Sequence, residues 1–263
     1  GITQQKKFSV PLPPLPEQRK IADILSTWDA AIEKTEALLA TAKAQKRALM
    51  QSVLTGKRRF PEFKGQPWKE VRLGNVSEIS SGPAFKSEEF CSDGYKLLRG
   101  SNVKRGHLDW SPSITVHWPN DNGLSDYRLK AGDIVIAMDG YVGRSYAYIR
   151  EEPEQRMLLV QRVARVRASN SNPSFLYACI CSHRFFAYCE RMKTATGIAH
   201  ITMKDIRDFK VPSISRAEQD LIGRVFEACD GEINDLIKQV DRLRTEKKAL
   251  MQQLLTGKRR VPL

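Results

Sequence analysis

Apolar or small residues recur every seven positions along two stretches of the chain. In the first, Ile21, Trp28, Thr35, Ala42 and Leu49 share a stripe, with Leu25, Ile32, Leu39 and Val53 beside it. In the second, Ile222, Cys229, Leu236, Leu243 and Leu250 do the same, with Phe226, Ile233, Val240 and Leu254 beside them. A seven-residue period matches 3.5 residues per turn, so it keeps one face of an α-helix against a partner helix. The pattern predicts two coiled-coil helices of some 40 residues, each on the order of 60 Å long. They are copies of one unit. An ungapped offset of 201 residues aligns Leu54-Thr55-Gly56-Lys57-Arg58-Arg59 with Leu255-Thr256-Gly257-Lys258-Arg259-Arg260, Glu17-Gln18 with Glu218-Gln219, and Phe8, Val10 and Pro11 with Phe209, Val211 and Pro212. Pro11, Pro13, Pro14 and Pro16 exclude helix before Glu17. Ser215 and Glu218 have the spacing of a capping box, and Gly56 and Gly257 stand where left-handed C-caps belong.

Between the copies the texture changes. Short apolar runs at Lys96–Arg99, Asp133–Met138, Ser145–Ile149 and Leu158–Val166 are bounded by Gly, Asp and Asn and read as strands. Asp139-Gly140-Tyr141-Val142-Gly143 reads as a hairpin connection. One helix follows, with Asn172 as N-cap, Pro173 at its first position, and an amphipathic run through Phe175, Leu176, Ala178, Cys179 and Phe186. The expected class is α+β: one mostly-β domain with a few helices, plus two long helices forming an antiparallel coiled-coil hairpin. The boundaries are a stub and Pro-rich lead at 1–16, a first helix at 17–56, a linker at 57–67, the β-rich domain at 68–210, a second helix at 211–257 and a basic tail at 258–263.

Composition adds a partner class. The 263 residues carry 43 Lys and Arg against 30 Asp and Glu, a net charge of +13, and such an excess on a folded protein points to a polyanion. The excess is spread, with +6 on residues 1–61, +5 on 62–210 and +2 on 211–263. No run is long and apolar enough for a membrane span and the first residues lack an apolar signal core, which reads as cytoplasmic with no membrane partner. Five cysteines, an odd number, read as reduced thiols. Cys179, Cys181 and His183 lie two apart, so on a helix they diverge and no metal site is expected.

The paired copies flank Leu98-Arg99-Gly100-Ser101-Asn102-Val103-Lys104-Arg105-Gly106-His107-Leu108, Leu129-Lys130-Ala131-Gly132-Asp133-Ile134-Val135 and Thr196-Gly197-Ile198-Ala199-His200-Ile201-Thr202-Met203-Lys204-Asp205-Ile206. With these motifs the chain resembles the specificity subunit of type I restriction-modification systems, over essentially its whole length. The resemblance implies a non-catalytic subunit that binds double-stranded DNA. It would sit between methyltransferase (modification) subunits and nuclease/translocase (restriction) subunits. It would bind no cofactor itself; S-adenosylmethionine, ATP and Mg are implied for those partners. Family members usually carry two recognition domains held apart by the paired helices, each reading one half of a bipartite site. Here one such domain is present, with residues 1–10 resembling the last strand of another; the chain is either a fragment or a half-subunit that reads one half-site alone or two as a homodimer.

Reading base edges takes guanidinium, amide and hydroxyl groups, and phosphates take cations. Three polar loops offer them: Arg99, Ser101, Asn102, Lys104 and Arg105; Tyr141 and Arg144 beside Gly140 and Gly143; and Lys193, Thr194, Thr196, His200, Thr202 and Lys204. The spacer and docking surface is expected along Ile21, Trp28, Ile32, Leu39, Leu49, Ile222, Phe226, Ile233, Val240 and Leu250. The two Lys-Arg-Arg triplets can complement a helix dipole, touch phosphate or dock a partner, and the sequence does not choose. Two other classes compete: a coiled-coil scaffold without DNA specificity, and a methyltransferase or nuclease. Against the latter, Asn172-Pro173-Ser174-Phe175 has no Gly-rich turn to accompany it, and Asp133 and Asp139 lack a carboxylate partner.

Overall fold

The computed structural model describes residues 12–153, 156–193 and 199–262. Phe8, Val10 and Pro11 of the repeat, the remainder of the 1–10 stub, and Thr194, Thr196 and Gly197 lie outside the described residues. Among those described are helices α1 (Leu15–Val53), α2 (Pro173–Cys181), α3 (His183–Met192), α4 (Met203–Asp208) and α5 (Arg216–Leu255). The strands are β1 (Lys69–Arg72), β2 (Ser77–Ser81), β3 (Tyr95–Leu98), β4 (His117–Trp118), β5 (Asp133–Ala137), β6 (Tyr146–Tyr148), β7 (Met157–Leu159), β8 (Val163–Ala168) and β9 (Lys210–Ser213). The chain divides into two compact units, residues 1–46 with 228–263, and residues 47–227.

The first unit is a helix pair. Glu17 binds Arg260, Asp29 binds Lys247, Glu36 binds Arg244 and Lys46 binds Asp230, so partners rise along α1 as they fall along α5 and the helices are antiparallel. Asp29 and Asp230 are repeat equivalents, as are Lys46 and Lys247. The Asp29–Lys247 and Lys46–Asp230 pairs are therefore one contact made twice with the roles exchanged. The seven-residue stripe is the buried one: Ile21, Thr35, Ala42 and Val240 are buried, and Trp28, Ile32, Leu39, Ile233 and Leu250 are half-buried. Thr35 satisfies its hydroxyl on the Ala31 carbonyl at 2.8 Å, which lets it sit in an apolar seam.

The second unit carries three sheets. β2-β8-β5-β6 is antiparallel, β4-β3-β7 is mixed, and β1 pairs with β9. The main core joins the four-stranded sheet, through Ile79, Ile134, Ile136 and Val166, to Phe175, Leu176, Ile180 and Phe185 of α2 and α3. Met50, Val53, Leu54, Ile222 and Phe226 of the helix copies belong to this same core. The domain thus extends beyond the 68–210 span read from sequence, because a helix stripe facing a sheet looks the same as one facing a helix.

Both copies close identically. Gly56 and Gly257 have left-handed φ of 73° and 71°. At Gly56 a Cβ would stand 2.8 Å from the Trp68 ring, so both backbone and packing demand glycine. The Glu-Gln and Lys-Arg-Arg motifs then find each other. The Arg59 guanidinium, lying over Trp68, donates to both Glu218 oxygens at 2.9 and 2.5 Å, and Arg260 donates to both Glu17 oxygens at 2.7 and 2.6 Å. Gln18 and Gln219 donate back to the Pro13 and Ile214 carbonyls, again equivalent positions.

Five expectations change. α1 begins at Leu15 and takes in Pro16, because a proline in the first turn gives up no intrahelical hydrogen bond. Ser215 accepts from the Glu218 amide, yet the Glu218 carboxylate goes to Arg59 and not to the helix start, so the capping box is half made. Residues 210–213 form β9, which moves the start of the second helix from 211 to Arg216. The Leu158–Val166 run is two strands in different sheets, because Arg162 turns the chain with φ 63°, the one non-glycine residue among those described in the left-handed region. The single expected helix breaks at Ser182, whose hydroxyl caps α3.

Glu218 is 1% exposed and its partner Arg59 10%, whereas Arg260 is 66% exposed. Breaking a buried ion pair strands a desolvated charge. Arg59→Met should cost about 3 kcal/mol in urea denaturation, and Arg260→Met should destabilise as well, since each substitution strands a nearly inaccessible glutamate.

Candidate nucleic-acid interface

Two hydrogen-bonded seams draw the sequence-predicted loops together. The Tyr146 amide donates to the Lys104 carbonyl at 3.1 Å and the Gly106 amide to the Tyr146 carbonyl at 2.8 Å, fastening the first loop to the start of β6. The Gly140 amide donates to the Ala199 carbonyl at 3.0 Å and the Ile201 amide to the Met138 carbonyl at 2.9 Å, fastening the hairpin to the third loop. Asp139 adds side-chain bonds to His200 and, at 3.0 Å, to Arg162. Burial opposes ionisation of Asp139, but these two donors outweigh it and hold its carboxyl below the ordinary carboxylate range. Gly143 allows the hairpin to press on α3, since a Cβ there would stand 2.8 Å from Cys189.

The joined loops present some expected groups and withdraw others. Ser101, Arg105, Tyr141, Arg144, Thr202 and Lys204 are exposed, Tyr141 at 83%. Lys104 is half-buried, 3.8 Å from Asp109. Arg144 stacks its guanidinium 4.2 Å from the Phe186 ring. Lys193 and Lys204 are tied to Glu190 and Asp208 on their own helical turns, and Thr202 caps α4 through a capping box with Asp205. Asn102 is a correction: it is 0% exposed, accepts from the Arg99 amide and donates to the Asp109 carbonyl, so it shapes the loop and offers nothing to a base. Arg99 is likewise turned inward, donating to the Ile114 carbonyl at 2.6 Å. The residue that sequence reading missed is Arg162. Its side chain is 66% exposed beside Asp139 and His200, and the only signal was the polar Gln161-Arg162 interruption of an apolar run.

The cysteines pack. Burial pushes the Cys189 thiol up to about 12, and the wholly buried Cys179 thiol is raised as well. Among the described residues no three His, Cys, Asp or Glu side chains converge on a metal position.

Residues 2–44 and 65–242 match the type I restriction modification DNA specificity domain family. The chain belongs to this family. The MjaVIII specificity subunit of Methanocaldococcus jannaschii is 30% identical over 271 residues, covering 97% of this chain and 63% of the relative. The EcoAI specificity subunit of Escherichia coli is 35% identical over 162 residues, 59% of this chain and 27% of the relative. The chain therefore spans about three fifths or less of the length of these relatives. The crystal structure of the type I restriction-modification S subunit from M. genitalium superposes with a TM-score of 0.66 at 19% identity, over 92% of this chain and 61% of that one, a likeness of fold.

Because the Asp139 carboxyl is held below its unfolded value, its tie stabilises the loops at neutral pH and is lost as pH falls through that lowered value. Asp139→Asn should speed amide exchange at Gly140 and Ile201 roughly ten-fold, equivalent to about 1.4 kcal/mol of local opening, at neutral pH.

Proposed function

We propose that the chain is the DNA-reading subunit of a type I restriction-modification assembly, in which the joined loops of the second unit read one half of a bipartite site. What carries this reading is the convergence of three polar loops, distant in sequence, on one edge of a domain whose family is that of DNA specificity domains. Tyr141 and Arg162 are the exposed groups best suited to base edges, and Lys104 and Arg105 of the first loop to phosphate. The chain would do no chemistry. Methylation with S-adenosylmethionine belongs to modification subunits and ATP- and Mg-dependent cleavage to restriction subunits, both docked on this one. The helix pair supports that assembly role by its length, since a rod of about 60 Å is just under two DNA turns. One domain reads one half-site, and a homodimer would read two. No described helix is long and apolar enough to cross a membrane.

Co-expression with type I modification subunits tests this. The expected result is a stable complex that binds duplex DNA with affinity falling steeply as salt rises. Absence of both complex and salt-dependent binding would overturn the reading. Arg162→Ala should lower discrimination between target and random duplex about ten-fold or more, the scale of one good base contact of about 1–3 kcal/mol.

A further inference from the structure

A cleft of about 580 Å³ lies within the second unit, and its rim is cationic. Six cationic residues border it, Arg47, Lys57, Arg105, Arg144, Arg184 and Lys210, and no Asp or Glu lines it. They come from the end of α1 and its turn, the first loop, the hairpin, α3 and β9. The amino-terminal residues of α3, Ser182 and His183, line it too, adding the positive end of a ten-residue helix.

Several cations elsewhere on this protein are held by carboxylates of the chain itself. Arg59, Arg128, Arg165, Arg167 and Arg260 each hold a carboxylate. In the cleft only Arg184 does, through Glu70. Arg47, Lys57, Arg105, Arg144 and Lys210 form no ion pair among the described residues. Glu70, which also acts on Lys210, supplies one counter-charge beside the cleft; gathering the remaining like charges costs energy, which an external anion recovers. The guanidiniums are also held in place: Arg144 lies on Phe186, and Arg105 hydrogen-bonds the Tyr146 hydroxyl, whose pKa burial pushes up to about 12. The floor, with Met50, Leu54 and Phe186, is apolar, as suits the sugar edges between phosphates.

We infer that this cleft grips the sugar-phosphate backbone of duplex DNA, as a sequence-independent anchor adjoining the reading loops through Arg105 and Arg144. The inference rests on the DNA-reading function proposed above and names a second surface for it. Arg47 and Lys57 carry the argument furthest, since they lie outside every loop singled out for base reading. The repeat supplies an internal control: their equivalents, Lys248 and Lys258, have the same charge and similar neighbours in sequence but border no part of this cleft.

The test compares the full chain with two charge-matched variants, Arg47→Gln/Lys57→Gln and Lys248→Gln/Lys258→Gln. Binding to a random-sequence duplex is measured by fluorescence anisotropy between about 50 and 200 mM salt. Each phosphate contact contributes about 0.9 to the slope of log affinity against log salt. The cleft variant should lose nearly two units of slope and on the order of ten-fold in affinity, with unchanged circular dichroism, while the control variant keeps the wild-type slope. Equal slopes for wild type and cleft variant, or equal losses in both variants, overturn the cleft as anchor while wild-type DNA binding leaves the reading function standing. No salt-dependent binding by the wild type overturns both. A parallel titration with inorganic phosphate separates the sources: protection of the cleft by phosphate at a slope unaffected by the variant identifies a free-anion site and contradicts the inference.

Discussion

The carboxylates of Glu17 and Glu218, 3% and 1% exposed, open the two copies of the repeated helix, and each is held by two hydrogen bonds from the arginine that closes the other copy. A carboxylate so buried is tolerated only with a matched donor, and the bidentate guanidinium is the matched one. This requirement explains several motifs together. The glycine of Leu-Thr-Gly-Lys-Arg-Arg turns the chain so that its last arginine can reach back, and Trp68 covers the Arg59 copy. The antiparallel order of the helices follows, as does the exchange of roles between Asp29–Lys247 and Lys46–Asp230.

The helices were legible in the sequence because a seven-residue period over five heptads means a long helix with one buried face, whatever that face packs on, and because the 201-residue offset repeats even the caps. Strand β1, Lys-Glu-Val-Arg, was not, since a two-stranded ribbon with one apolar residue leaves no alternation to read. The Leu158–Val166 run hid a turn, because a left-handed arginine looks like any other arginine in a string of letters. The candidate loops at 99–105 and 140–144 lie between strands, whereas Lys204 of the third falls in α4; the convergence of these segments was invisible, since it depends on backbone bonds between residues 104 and 146 and between 140 and 199. Asn102 shows the converse, a polar residue in a polar loop whose amide is consumed by the loop itself.

Charge is distributed by task. The net +13 suggested a polyanion, yet its near-even spread along the chain gave no location. In three dimensions one cation of each Lys-Arg-Arg triplet is structural, and Lys57, two residues before Arg59, borders a cleft without carboxylates. Five segments far apart in sequence supply the cations of that rim, so only folding concentrates the charge. Under the proposed function, backbone grip and base reading would fall to neighbouring surfaces, in keeping with the general division of labour between phosphate and base contacts.

Whether these loops read sequence is tested most directly by mapping methylated positions across the DNA of cells that express this chain with its modification subunits, for the wild type and for Arg162→Ala with Tyr141→Ala. A defined motif in the wild type that becomes degenerate in the double variant, while methylation and complex formation persist, is the predicted result. A motif unchanged by the double substitution, or no defined motif in the wild type, would contradict it.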